Sequence, residues 1–242
     1  MSRNLLKDSS PIRIMKTVMS LFAHPDDELS AFGTLANHAH AGDRVVLAWM
    51  CEGEMTTAIK GTPEEKKDIR RAHMKRIADL IGAEFRVLDF ADAQIFPSQE
   101  NALRVAELIR EIKPSILITW NMFWGTGAGH PDHRYTSVIA LDAVTYARFL
   151  QPNSPVMPHR DFVSIYLSPA RPCDMPTQYI DVSDREEEMR KFVEIYTGMY
   201  GWFDALTWKM NECLRNGRLA GCRLAEVFNV VQRASFSVKL LE

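Results

Sequence analysis

The sequence predicts an α/β protein in three layers, with a mainly parallel sheet between two sets of helices, and three observations carry this. Short apolar or β-branched runs alternate with longer stretches of helical periodicity from residue 17 to residue 167. Glycines and capping residues fall at the junctions. Two dense clusters of His, Asp and Glu follow two of the strands directly, where ligands bind in open parallel sheets.

Residues 1–15 are polar and turn-rich and are read as an N-terminal extension, ahead of a single domain over residues 16–242. TVMSLFA (17–23) reads as a buried strand, and Leu29, Phe32, Ala36 and Ala39 then recur at helical spacing until Gly42 stops them. RVVLAWM (44–50) is a second strand, residues 64–81 a strongly charged helix closed by Gly82, and EFRVLDF (84–90) a third strand. Ser98 caps a helix with Ala102, Val105, Ile109 and Ile112 on its apolar face. SILITW (115–120) is the fourth strand, residues 131–150 a helix, and FVSIYL (162–167) the fifth strand. From Asp184 onward Phe192, Ile195, Met199, Trp202 and Leu206 step by three or four, which predicts a helical C-terminal segment packed on the same domain. No repeat or Pro/Gly/Ser-rich linker interrupts the chain.

At 242 residues with 46% hydrophobic content, the chain has material for one sizeable core. A net charge of −2 with no cluster of Lys and Arg argues against a nucleic-acid or anionic-membrane surface. Cys51, Cys173, Cys213 and Cys222 form no CxxC pair, so reduced thiols fit better than a zinc ribbon or a disulfide framework. The apolar stretch 18–23 is too short for a signal segment, and nothing approaches membrane-spanning length. The expected location is the cytoplasm.

AHPDDE (23–28) follows the first strand and GTGAGHPDH (125–133) the fourth. In doubly wound sheets those two strands are neighbours flanking the binding crevice, so the clusters are expected to face one another. Together they supply His24, His130, His133, Asp26, Asp27, Glu28 and Asp132. A catalytic zinc takes about three such ligands and leaves a place for water. Bound there, a water's pKa falls from about 16 to about 7, and the surplus acids and imidazoles are free for proton transfer. Each cluster alone has a plainer reading: acids cap helix starts, and Pro131 opens a helix. Both together point to hydrolysis.

AHPDDE combined with HPDH (130–133) resembles the PIG-L/LmbE-like zinc-dependent de-N-acetylases. IRRAHMKRIADLIGAE (69–84) is similar to that family's Arg-containing helix, and LAEVFNVV (224–231) to a recurring C-terminal stretch, so the likeness spans roughly residues 17–231. The resemblance implies a Rossmann-like fold and removal of an acetyl group, mostly from N-acetylglucosamine-containing small molecules. It implies that His24, Asp27 and His133 are zinc ligands and that Asp26 is the general base acting on the attacking water. His130 would stabilise the oxyanion and protonate the leaving amine, with Asp132 orienting His130 and Glu28 a hydrogen-bonding support. Arg70 and Asp92 match places where the family contacts sugar hydroxyls; Arg71 competes with Arg70, and either reads equally as a solvated helix charge. A His/Asp/His set also accepts ferrous iron or other divalent ions. Relatives often form homo-oligomers, which makes self-association an expectation.

The chain departs from the family at His73, where relatives usually carry Glu, and in KFVEIYTGMYG (191–201), which lacks a His and Ser-Gln. Trp120, Phe123 and Trp124 crowd the second motif and either stack on a sugar or pack. His38, His40 and His159 read as surface or loop residues, and Cys51 as a small buried thiol. Three rivals to amino-sugar deacetylation remain at this stage. An amidase on a thiol conjugate or another acylated amine would use the same residues. A nucleotide-binding protein is suggested by GTGAG, but the first turn carries acids where a pyrophosphate would bind. A non-catalytic metal-binding module would have no need of Asp26 and His130.

Overall fold

In the computed structural model, which describes residues 14–123, 129–152, 154–199 and 203–233, each of the five apolar runs becomes a strand of one sheet. They are β1 (Thr17–Phe22), β2 (Arg44–Trp49), β3 (Glu84–Val87), β4 (Ile116–Trp120) and β5 (Ser164–Ser168), all parallel. β1 and β4 pair directly, with Val18 opposite Ile116 and Leu21 opposite Thr119. Five of the six residues of β1 and all of β4 are buried, so these strands read as apolar runs rather than as an alternation.

Two strands were not foreseen. β6 (Thr177–Asp181) and β7 (Ala225–Gln232) extend the sheet to the order β3-β2-β1-β4-β5-β7-β6, and β7 runs antiparallel to both of its neighbours. The C-terminal segment is therefore only partly helical. AEVFNVVQ carries β-branched and aromatic side chains on a pleated, half-buried surface, which the helical reading of this segment overlooked.

The helices α1 (Phe32–His40), α2 (Pro63–Ile81) and α5 (Glu186–Ile195) pack on one another, and α3 (Gln99–Ile112) packs on α4 (Pro131–Tyr146). These two groups form the outer layers. α6 (Ala205–Ala220) lies against β6, β7 and α5. Ser98 acts as the expected cap, its Oγ accepting the Asn101 N–H, and α2 carries a further cap not foreseen, a reciprocal capping box of Thr62 and Glu65 before Pro63. Gly82 closes α2 at φ 67°. Residues 1–13, Trp124, most of the glycine run and Trp202 lie outside the described residues. Among the described residues, no helix is long and apolar enough to cross a membrane.

Gly217 lets α6 turn back into β7. A Cβ there would stand 2.6 Å from the Arg223 carbonyl oxygen and 2.7 Å from that of Cys222, both backbone atoms. Helix propensity alone would favour Gly217→Ala by about 1 kcal/mol. The clash is expected to reverse that, with a net loss of about 1–3 kcal/mol in thermal unfolding. A raised melting temperature would show that the backbone yields at no cost.

Candidate metal centre

The turn after β1 and the start of α4 meet over the β1–β4 boundary, the point where the strand order reverses. His24 Nδ1 lies 3.3 Å from His133 Nε2, and His133 Nε2 lies 3.3 Å from Asp27 Oδ1. His24 Nδ1 is 3.6 Å from Asp27 Oδ2. A tetrahedral ion with ligand bonds of about 2.0–2.1 Å sets its donor atoms about 3.3–3.4 Å apart. The three side chains can therefore hold a divalent cation with little movement.

Each of these groups is pinned from behind. Asp27 Oδ2 accepts the His24 backbone N–H at 2.9 Å and the Trp120 indole N–H at 2.8 Å, which leaves Oδ1 facing His133. The Trp120 ring also stacks on His133, with centroids 4.3 Å apart at 11°. Trp120 is thus a packed positioning residue, not a sugar platform. Phe123 is half-exposed, and its N–H donates to Asn121 Oδ1.

His24 Nε2 sits 3.1 Å from Asp92 Oδ1 and 3.3 Å from Asp132 Oδ2. A carboxylate behind an imidazole fixes the proton on the rear nitrogen and leaves Nδ1 a lone pair for a metal. Burial alone would lower the His24 pKa, but Asp132, Asp27 and Asp92 outweigh it and raise it well above the usual imidazole range. The three carboxylates around His24 leave the site short of positive charge, which a bound cation would supply.

Two expected partnerships change here. Asp132 was expected to orient His130, but its carboxylate turns inward to His24 and to the Ala93 N–H at 2.9 Å, because it is buried at the first turn of α4. Asp92, expected to meet sugar hydroxyls, is also buried; its Oδ2 accepts the Met55 N–H at 2.7 Å and its Oδ1 faces His24. His130, at the N-cap of α4, accepts the Asp132 N–H on Nδ1 at 3.2 Å. In its neutral form the ring proton then resides on Nε2. Burial, His24 and His133 together push the His130 pKa below its usual value, which keeps the ring neutral.

Asp26 occupies φ 104°, a region that non-glycine residues rarely hold and that clusters at functional sites. The N–H of Asp26 donates to Glu28 Oε2 at 3.0 Å. Glu28, fully buried, also accepts from the Trp49 indole at 2.9 Å and the Tyr196 hydroxyl at 3.0 Å. Burial raises its pKa to about 8, and its place is to brace the turn. Burial likewise raises the Asp26 pKa against the opposing pull of Arg70 and His24.

Arg70 is no solvated helix charge. Only 2% exposed, it directs both terminal nitrogens at Asp26 Oδ2, at 3.3 and 3.4 Å, and donates to the carbonyls of Pro25 and Glu52. Arg71 points away and pairs with Glu52. With Asp26, two carbonyls and the Tyr196 ring around it, Arg70 needs no Glu at position 73. His73 instead packs on Tyr196, 5.3 Å between centroids.

Two other sets of potential ligand atoms each lie within 4.8 Å of one another: His24, His130 and His133, and His24, Cys51 and Asp92. Burial pushes the Cys51 thiol up to about 12, so it stays protonated and is a poor ligand. The remaining imidazoles are engaged elsewhere: His38 with Asp43 at 2.7 Å, His40 with Glu188 at 3.0 Å, and His159, buried in its loop, with the Pro114 carbonyl at 2.9 Å.

Fold and site together define an α/β protein with a candidate cation site at its topological switch point. The model of the family PIG-L: GlcNAc-PI de-N-acetylase matches residues 19–144, and the chain belongs to that family. It is 26% identical over 230 residues to the diacetylchitobiose deacetylase of Thermococcus kodakarensis, covering 91% of this chain and 85% of that one. A solved N,N'-diacetylchitobiose deacetylase from Pyrococcus horikoshii superposes with a TM-score of 0.79 at 23% identity, over 89% of this chain and 84% of that one. The 4-carboxy-2-hydroxymuconate hydratase GalB of Pseudomonas putida KT2440 has a TM-score of 0.75 at 19% identity, over 93% of this chain and all of the other. One fold thus hosts more than one chemistry, and the argument for function must come from the site.

Proposed function

We propose that the protein is a metal-dependent hydrolase that removes the acetyl group from an N-acetylated amino-sugar derivative. His24, Asp27 and His133 would hold the ion, with zinc the first candidate and ferrous iron the second. A divalent ion there supplies a Lewis acid that activates water and polarises the acetyl carbonyl. The observation that carries the reading is the convergence of the His24, Asp27 and His133 side chains beside a carboxylate, Asp26, that is not among them. Family membership and the deacetylase relative support the choice of an acetylated amino sugar.

Asp26 takes the proton from the attacking water. Arg70 holds its Oδ2, while Oδ1 has no hydrogen-bond partner among the described residues and is open to receive a proton. A carboxyl with a raised pKa is a better base for this step. The His130 Nε2–H donates to the carbonyl oxygen as negative charge develops there. As the C–N bond breaks, the proton held by Asp26, rather than one from His130 as first expected, passes to the departing amine nitrogen, leaving acetate and a free amino sugar.

The test is acetate release from N-acetylglucosamine glycosides by zinc-loaded protein. The expected result is turnover that a chelator abolishes and added metal restores. No acetate from any such compound, with metal bound, would contradict the reading. A finer test addresses Trp120. Trp120→Phe keeps an aromatic ring on His133 but removes the N–H to Asp27, and is expected to weaken metal affinity by about 10- to 100-fold in competition with a chromophoric chelator. Unchanged affinity would show that the indole N–H does not position the ligand.

A further inference from the structure

We propose that the protein has a second ligand site, at the end of the sheet away from the metal centre, which binds a medium-chain alkyl carboxylate. A cavity of about 480 Å³ lies there, at the amino ends of β4 and β5 and beside α1. Its floor is a patch of the sheet: Ile116 and Ile118 of β4, Ser164 and Tyr166 of β5, Ile180 of β6 and Phe228 of β7. The pairs within a strand are two residues apart, and Ile116 stands opposite Ser164 and Ile118 opposite Tyr166, so they share one face. Thr34 and His38 of α1 make a wall. Ile14, Met15 and Phe162, all exposed, add apolar surface at the mouth. Among the described residues this cavity shares no lining residue with the space that opens on Asp26 and Asp27, so the proposal stands apart from the deacetylase reading.

The charge of the lining selects the ligand. Its ionisable basic members are Lys16, His38 and Arg233, and no carboxylate lines it among the described residues. Asp43, which contacts two of the lining residues, is already engaged: Oδ1 accepts the Lys16 backbone N–H at 2.9 Å, and Oδ2 lies 2.7 Å from His38 Nδ1. The Lys16 ammonium is exposed and makes no ion pair among the described residues. Arg233 Nη1 lies 3.4 Å from Gln178 Oε1, which sets the guanidinium at the same opening. The Tyr166 hydroxyl makes no hydrogen bond among the described residues, and burial pushes its pKa up, so it stays a donor. A carboxylate therefore meets two cations and a hydroxyl. Its hydrocarbon tail covers isoleucine and aromatic side chains on the floor. An amine with the same tail would meet charge of its own sign. The volume falls inside the range of small-molecule sites, about 300–1,000 Å³.

The experiment is calorimetric titration of the full zinc-loaded chain with hexanoate, octanoate and decanoate, and with octylamine as the cation of matching tail. One carboxylate is expected to bind per chain, about fourfold tighter for each added methylene. Octanoate is expected to bind at least about tenfold more tightly than octylamine. Lys16→Glu is expected to weaken octanoate by about tenfold and Tyr166→Phe by about fivefold, with melting temperatures confirming that both variants fold. Binding that neither substitution moves lies elsewhere, the metal centre included, and overturns the site. Octylamine binding as tightly as octanoate, or no binding of any carboxylate, also overturns it. Sedimentation of the same samples addresses the other occupant, a second copy of this chain. Self-association in protein that binds no octanoate would give the cavity to that contact and overturn the proposal.

Discussion

Replacing Asp26 with Asn is expected to lower kcat by about 10²- to 10⁴-fold while metal content stays at the wild-type level. Asn has the shape of Asp and tolerates the positive φ of 104° at this position. It can still accept from Arg70 through its carbonyl oxygen, so the turn and its neighbours stay in place. What it cannot do is take a proton from water. The expected effect therefore falls on kcat, with the ligand set of His24, Asp27 and His133 untouched. Undiminished hydrolysis would remove Asp26 from the mechanism. Loss of the metal along with activity would instead make Asp26 part of its binding site.

The second large effect is expected far from the chemistry. Lys209 of α6 is fully buried, with Nζ 2.8 Å from Glu226 Oε1 and 3.1 Å from the Ser30 carbonyl. Glu226 of β7 accepts the N–H of Gly33 at 3.0 Å, the N–H of Thr34 at 2.8 Å and the Thr34 hydroxyl at 2.6 Å. This one pair ties two C-terminal elements to Ser30 and to the first turn of α1, at Gly33 and Thr34, where a carboxylate also complements the helix dipole. Lys209→Met leaves Glu226 buried without its cation and is expected to cost about 3–5 kcal/mol of stability in urea unfolding. The pair as a whole is worth less than that, because both charges lose their hydration on folding. Adding Glu226→Gln to Lys209→Met should therefore recover part of the loss. A single variant within about 0.5 kcal/mol of the wild-type protein would show that water reaches the pair.

Much of this was legible in the sequence for a definite reason. Strands buried on both faces announce themselves as apolar runs, and helix ends as Gly42, Gly82 or Ser98, so β1 to β5 and α1 to α4 could be placed. The rule that parallel sheets bind ligands beyond their carboxyl ends brought His24 and His133 together before any coordinates. β6 escaped because an edge strand with half-exposed residues carries no strong periodicity. β7 was overlooked because a helical expectation ran through it, although its β-branched residues were in view. Within the site, residue types were readable but partnerships were not. Asp132 and Asp92 both serve His24, and Arg70 serves Asp26; no spacing rule distinguishes these from the pairings first expected. Lys209 and Glu226 look like surface charges in the sequence, since only tertiary packing reveals that each buries the other.

A crystal structure of the zinc-loaded protein, with anomalous diffraction measured on both sides of the zinc edge, tests the central claim most directly. One strong peak is expected among His24 Nδ1, Asp27 Oδ1 and His133 Nε2, about 2.0–2.2 Å from each. A peak against Cys51 and Asp92 instead, or none near His133 in protein that retains zinc, would contradict the account.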